Sequence, residues 1–374
     1  MVSMSSQVLE QSTHRTHCHR ILRTLSLMVV GVLLASTLTL AQDKKDTKGE
    51  KLIEEKTIPS AADGWPLKLT YYKSSQGKEA AVVVLLHPKN ESRMVWTAPK
   101  VGFAEKLQSQ GLAVIALDLR KHGQSKDKDG TSDEETKKST SEKDKSSKKS
   151  AGSDLKPADY LGMVGDVEAV KKMIFEEHQK GNLNMRKMAI IAPAMSTSIA
   201  IAFTANDWAK KPYDDASTPA ARTPRGQDVQ ALVLISPDSA IPAVAVHQIA
   251  PALKSLPIST LIVVGKNDPQ DKEQAKKLFQ QLGGDPAKTA ATKKSDAKKE
   301  KSKDKAKEKE KDADAKEVKQ QHYFIPLDAK LRGTELLGMK LGLEEAMANF
   351  LKENLQELKG PFYEWRERQS RLVD

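Results

Sequence analysis

The stretch Lys187-Met188-Ala189-Ile190-Ile191-Ala192-Pro193-Ala194-Met195-Ser196-Thr197 decides how this chain is read. Met188 to Ala192 is a continuous apolar run, too short for a helix and uniform enough to be buried on both faces. Pro193 ends it. Small residues then turn the chain into the apolar segment Thr197–Ala205, which has helical length. A buried strand, a tight turn and a helix follow one another within about twenty residues.

Outward from that unit the same alternation repeats. Leu67, Leu69 and Tyr71 mark one face of a strand after the turn Asp63-Gly64. Ala80–Leu86 is a second continuous apolar run. A helix is expected over Val101–Gln110 and a strand over Ala113–Leu117. Over Ala158–Gln179, Leu161, Val164, Val167, Val170 and Ile174 recur at helical spacing. Strands are expected at Val229–Ile235, Thr260–Val264 and Gln321–Ile325. Helices are expected at Gln248–Lys254, Asp271–Leu282 and Leu341–Leu358. Strand alternating with helix predicts an α/β domain with a doubly wound, mostly parallel sheet.

The ends and two inserts differ in composition. Arg15, Arg20 and Arg23 precede the apolar run Leu25–Leu40, and Thr39-Leu40-Ala41 is a small-x-small ending. Residues 1–41 read as a secretory signal peptide cleaved after Ala41, so the chain is expected to be exported to periplasm, envelope or medium. The alternative is an uncleaved anchor, for which the run is slightly short. Residues 42–58 are polar and read as a linker. Residues 126–153 and 286–318 are low-complexity, charged and nearly free of large apolar side chains, so neither is expected to fold. Residues 359–374 read as a C-terminal tail. About 260 residues remain for one domain spanning 59–358.

Charge and cysteine usage exclude several functions. The chain carries +11. Residues 286–320 hold 13 Lys against 8 Asp or Glu, whereas 126–155 hold 8 of each. The basic excess is therefore diluted by carboxylates, and no Arg-aromatic stripe accompanies it, which argues against nucleic-acid binding. A weak contact of 286–318 with anionic surfaces stays open. The single cysteine, Cys18, lies in the leader. The mature chain then has no disulfide, thiolate metal site or cysteine nucleophile. No H-E-x-x-H spacing and no glycine-rich phosphate loop occurs, so neither metal nor cofactor is expected.

Three further motifs, taken in chain order with the 187–197 unit, give a resemblance. His87-Pro88 follows a buried strand. Asp118-Leu119-Arg120-Lys121-His122-Gly123-Gln124-Ser125 is close to D-x-R-G-H-G-x-S. Gly265-Lys266-Asn267-Asp268 follows another strand. With these the chain resembles the α/β-hydrolase superfamily, in the style of its lidless dienelactone hydrolases. The stretch Ser236–Thr260 has room for one short helix, so no cap domain is expected.

The resemblance implies positions for a catalytic triad and shows them altered. The turn at 192–196 corresponds to the nucleophile elbow G-x-S-x-G, whose apex here is Ala194. Asp268 stands at the acid position and equally suits a turn. Arg332-Gly333 aligns with the His-Gly of the base, and an arginine stays protonated. The oxyanion donors would be the N–H of Met195 and one near Lys89. His87, Lys89, Met195, Ser196 and Ser236 would border the cleft.

Three functions follow as expectations. The first is a non-catalytic binding or structural protein, with a small acyl or carboxylate group as ligand and Arg332 as its partner. The second is an esterase-type hydrolase with a relocated nucleophile at Ser196, Ser198 or Ser236. The third is surface adhesion through the Lys-rich segments.

Overall fold

The computed structural model describes residues 52–126, 155–238, 240–285, 321–370 and 372. The leader, residues 286–318 and all but Lys126 of the insert at 126–153 lie outside the described residues.

Eight strands form one sheet in the order β1-β2-β4-β3-β5-β6-β7-β8. They are β1 (Ile53–Pro59), β2 (Pro66–Tyr72), β3 (Val82–Leu85), β4 (Ala113–Leu117), β5 (Met188–Pro193), β6 (Val229–Ile235), β7 (Ser259–Gly265) and β8 (His322–Leu327). β2 runs antiparallel to β1 and β4; the other neighbours are parallel. The helices are α1 (Phe103–Ser109), α2 (Pro157–Gln179), α3 (Ser196–Ala209), α4 (Val246–Leu253), α5 (Pro269–Gln281) and α6 (Leu343–Leu351).

Alternation along the central strands divides the core in two. Val82, Val84, Ile190, Leu232 and Ile262 face α2, α3, α4 and α5 through Val167, Val170, Ile199, Leu253 and Phe279. Val83, Leu85, Ile191, Val233 and Val263 face α1 and α6 through Phe103, Leu107, Met347 and Leu351. Both faces are covered, and for that reason β3, β5, β6 and β7 are apolar almost throughout. This is the doubly wound sheet that the alternation predicts. Among the described residues between β6 and β7, α4 is the one helix, and no cap domain is seen.

The chain leaves β3 for β4 on one side and later enters β5 on the other. The loops after β3 and β5 therefore diverge at the carboxyl ends of these strands, the place where open α/β sheets bind ligands.

The structure differs from the sequence reading at both ends of the domain. β1 lies within the stretch read as a linker. Its pattern Ile53-Glu54-Glu55-Lys56-Thr57-Ile58-Pro59 is polar because an edge strand buries little. In the stretch read as a tail, Tyr363, Arg368 and Ser370 are buried. The closing helix stops at Leu351 and continues as a π-turn over Lys352–Gln356. Among the described residues no helix is long and apolar enough to cross a membrane.

Candidate functional site

The site begins where β5 ends. Ala194 takes φ +47°, a left-handed conformation that costs an L-residue about 1–2 kcal/mol. The surroundings hold it there. Its N–H donates to the Ile235 carbonyl at 2.9 Å, and its carbonyl accepts from the Thr197 N–H at 3.1 Å and hydroxyl at 2.7 Å. The sharp turn is intact, and its apex is a methyl group.

The neighbouring strand ends in the same way. Ser236 follows β6 with φ +45° and is fully buried. Its hydroxyl makes no well-formed hydrogen bond with a described residue. It lies near the Asp271 carboxylate, which is 0 % exposed and has one oxygen equally unpartnered. Burial pushes the Asp271 carboxyl above its ordinary range, and the Ser236 hydroxyl and Arg332 oppose that push.

The loop after β8 closes over this corner. Gly333 takes φ +54°, and a Cβ built on it would stand 3.8 Å from the Ala194 Cβ. Gly333, next to Arg332, therefore lies against Ala194. Arg332 is 42 % exposed on its side chain and reaches Asp238 and Asp271 at 3.4 Å each. Thr334 donates to Glu91 at 2.8 Å, tying the loop after β8 to the loop after β3.

The other predicted residues take supporting places. Asp268 accepts from the Asp271 N–H at 3.2 Å and so caps α5. Asp271, three positions on, is the carboxylate that meets Arg332. The sequence carried a signal for it: Asp-Pro-Gln-Asp has the spacing of a helix cap with an acidic residue in the first turn. Ser196 donates to the Pro193 carbonyl at 2.7 Å and Ser198 to the Asp238 carbonyl at 3.2 Å. The Met195 side chain is buried in the core, and Lys89 is exposed.

His87 is fully buried at the end of β3. Its Nε2 accepts from the Leu119 N–H at 3.0 Å, so Nδ1 carries the proton and donates to the Pro88 carbonyl at 2.8 Å. Burial, reinforced by nearby His122, lowers it to about 4, so it stays neutral. Both nitrogens are spent on fixing loops. The Asp118–Ser125 turn is likewise structural. Asp118 accepts from the Arg93 and Gln124 N–H groups and pairs with the buried Arg93 guanidinium. A Cβ at Gly123 would fall 2.3 Å from that carboxylate, so only glycine fits.

Among the described residues no serine hydroxyl hydrogen-bonds a histidine ring, and no group of three His, Cys, Asp or Glu is placed to hold a metal ion. The corner holds one cation between two carboxylates, beside a buried hydroxyl and a methyl-capped elbow.

Neither a protein-family model nor a curated relative matches the chain. Among solved structures it is similar to the dienelactone hydrolase of Anabaena variabilis ATCC 29413, at 14 % identity and TM-score 0.46, covering 81 % of this chain and 97 % of that one. It is similar to a Pyrococcus furiosus esterase at 13 % identity and TM-score 0.46, covering 81 % and 90 %. A cold-adapted esterase from an Arctic intertidal metagenomic library gives 12 % identity and TM-score 0.45, covering 84 % and 100 %.

Proposed function

We propose that this chain is an exported, non-catalytic protein on an α/β-hydrolase-type fold, acting by binding or as a structural element. Ala194 at the apex of a preserved strained turn carries the reading. A methyl group offers no lone pair for attack on a carbonyl, and Arg332 beside it accepts no proton. Loss of one triad member costs on the order of 10⁴ in turnover, and here two positions are altered. Export rests on the leader sequence alone.

A small carboxylate or acyl group is the proposed ligand of this corner. Arg332 has donors beyond its two long contacts, and a carboxylate accepts such a fork in two places. The Arg332→Ala variant should then lose affinity for short carboxylates; unchanged affinity removes that ligand.

One observation favours a second reading, a hydrolase with a relocated nucleophile. Ser236 is buried, left-handed and unpartnered beside a carboxylate. The deciding experiment is turnover of a short-chain ester panel by wild type, Ala194→Ser, Ser196→Ala and Ser236→Ala. Background rates in wild type support the non-catalytic reading. Turnover abolished by Ser236→Ala or Ser196→Ala overturns it.

A further inference from the structure

At the opposite end of the sheet, Arg186 leads into β5. It is 7 % exposed. Its backbone N–H donates to Asn184, but its guanidinium has no hydrogen bond or ion pair with any described residue. Among the described residues it gains the Phe362 ring, 4.7 Å from the guanidinium carbon, and a through-space attraction to Asp228. Buried arginines are otherwise paired, because an uncompensated charge in a low dielectric is costly.

The surrounding charges make the deficit larger. Burial, then Arg368 and Arg366, push Arg186 down to about 10. The acid that attracts it, Asp228, is already held by Arg368 and, at 2.8 Å, by Lys171. Arg222 is taken by Asp214 at 2.6 Å. Arg366 is exposed and gives one donor to the Pro361 carbonyl at 2.9 Å, with no carboxylate partner among the described residues. A cavity of about 340 Å³ opens among these groups, lined by four arginines and one carboxylate, Glu367. That size falls at the small end of ligand pockets.

Two guanidinium groups, one buried and one at the rim, thus face a cavity without carboxylate partners. A dianion with tetrahedrally arranged oxygens matches both the charge and the forked donors. We propose that this cavity binds a small phosphate-bearing dianion, anchored by Arg186 within and Arg366 at the entrance. The site is independent of the elbow, since Arg186 and Ala194 lie at opposite ends of β5.

The test uses the full chain, inorganic phosphate as probe, and chloride matched in ionic strength, with calorimetric titration and thermal unfolding. Phosphate should bind and raise Tm where chloride does not, and acetate should bind more weakly. Arg186→Met keeps the apolar stem and removes the charge. It should leave the unliganded Tm equal or higher and weaken phosphate binding at least about tenfold. Arg366→Ala, at an exposed position, should weaken it about three- to tenfold. Equal effects of phosphate and chloride, equal binding of acetate, or phosphate affinity retained in Arg186→Met overturn the proposal. If Arg186→Met does not fold, unchanged affinity in Arg366→Ala overturns it instead.

Discussion

At the amino ends of β5 and β6, Lys171, Asp207, Asp228 and Arg368 interlock as buried ions, with Asp207 also accepting the Asp228 N–H at 2.8 Å. At the carboxyl edge of the sheet, beyond β6, β7 and β8, Ser236 and Asp271 leave polar atoms unpartnered, and Arg332 reaches its carboxylates only at 3.4 Å. The first arrangement pairs each of these four charges with an opposite one, Asp228 Oδ2 through the Lys171 ion pair alone, and pins the C-terminal residues to the sheet. The second holds its one cation by long contacts and leaves the Ser236 hydroxyl and an Asp271 oxygen without a hydrogen bond. Unspent capacity costs stability and is tolerated mostly where a ligand or reaction uses it. The difference separates a fastening at one edge of the sheet from a candidate site at the other.

The largest effect should come from the fastened end. Asp228→Ala leaves Lys171 and Arg368 short of a counter-charge, and the loss should be about 3–5 kcal/mol by urea unfolding. A loss under 1 kcal/mol would break the contrast.

The carboxyl end should show its own dependence on pH through His87. The fold holds this ring neutral, about 4 against an ordinary 6.5. Its contribution is therefore complete above 6.5 and is lost as pH falls from 6.5 through 4, by about 3 kcal/mol. His122 and His178 are shifted downward too, so the wild-type slope contains all three. The difference between wild type and His87→Gln isolates the first, and identical slopes between pH 6.5 and 4 would refute the assignment.

Relief of the elbow should be smaller. Ala194→Gly removes the left-handed penalty at the price of chain entropy, for a net gain of about 0.5–1 kcal/mol. A loss would mean that the Ala194 methyl contributes more by contact than its conformation costs.

Ser236→Ala should do least, staying within about 0.5 kcal/mol, because a hydroxyl without a partner contributes no bond to lose. A cost near 2 kcal/mol would show that Ser236 and Asp271 are bonded in solution, and the carboxyl end would then resemble the fastened one.

Most of the sheet was legible because its central strands are buried on both faces and so write unbroken apolar runs, as in Val82–Leu85 and Val229–Ile235. β1 was not, since an edge strand with Glu54, Glu55 and Lys56 looks like any polar segment. Order and spacing singled out Ala194, Arg332 and Ser236 as candidates. The contacts made by Asp271 and Glu91 were not legible. Asp271 meets Arg332 only because α5 turns its first residues toward the β8 loop, and Glu91 meets Thr334 across 243 residues.

The sequence by itself determined the alternation of strand and helix, the two low-complexity segments, and which side chains stand at 194 and 332. These are local properties, set by periodicity and residue type. Only the tertiary structure decided that Gly333 rests against Ala194, that His87 spends both nitrogens on backbone, and that Arg186 is buried without a counter-ion. Partners, burial and electrostatic environment depend on which distant segments arrive at the same place, and the folded sheet brings them there.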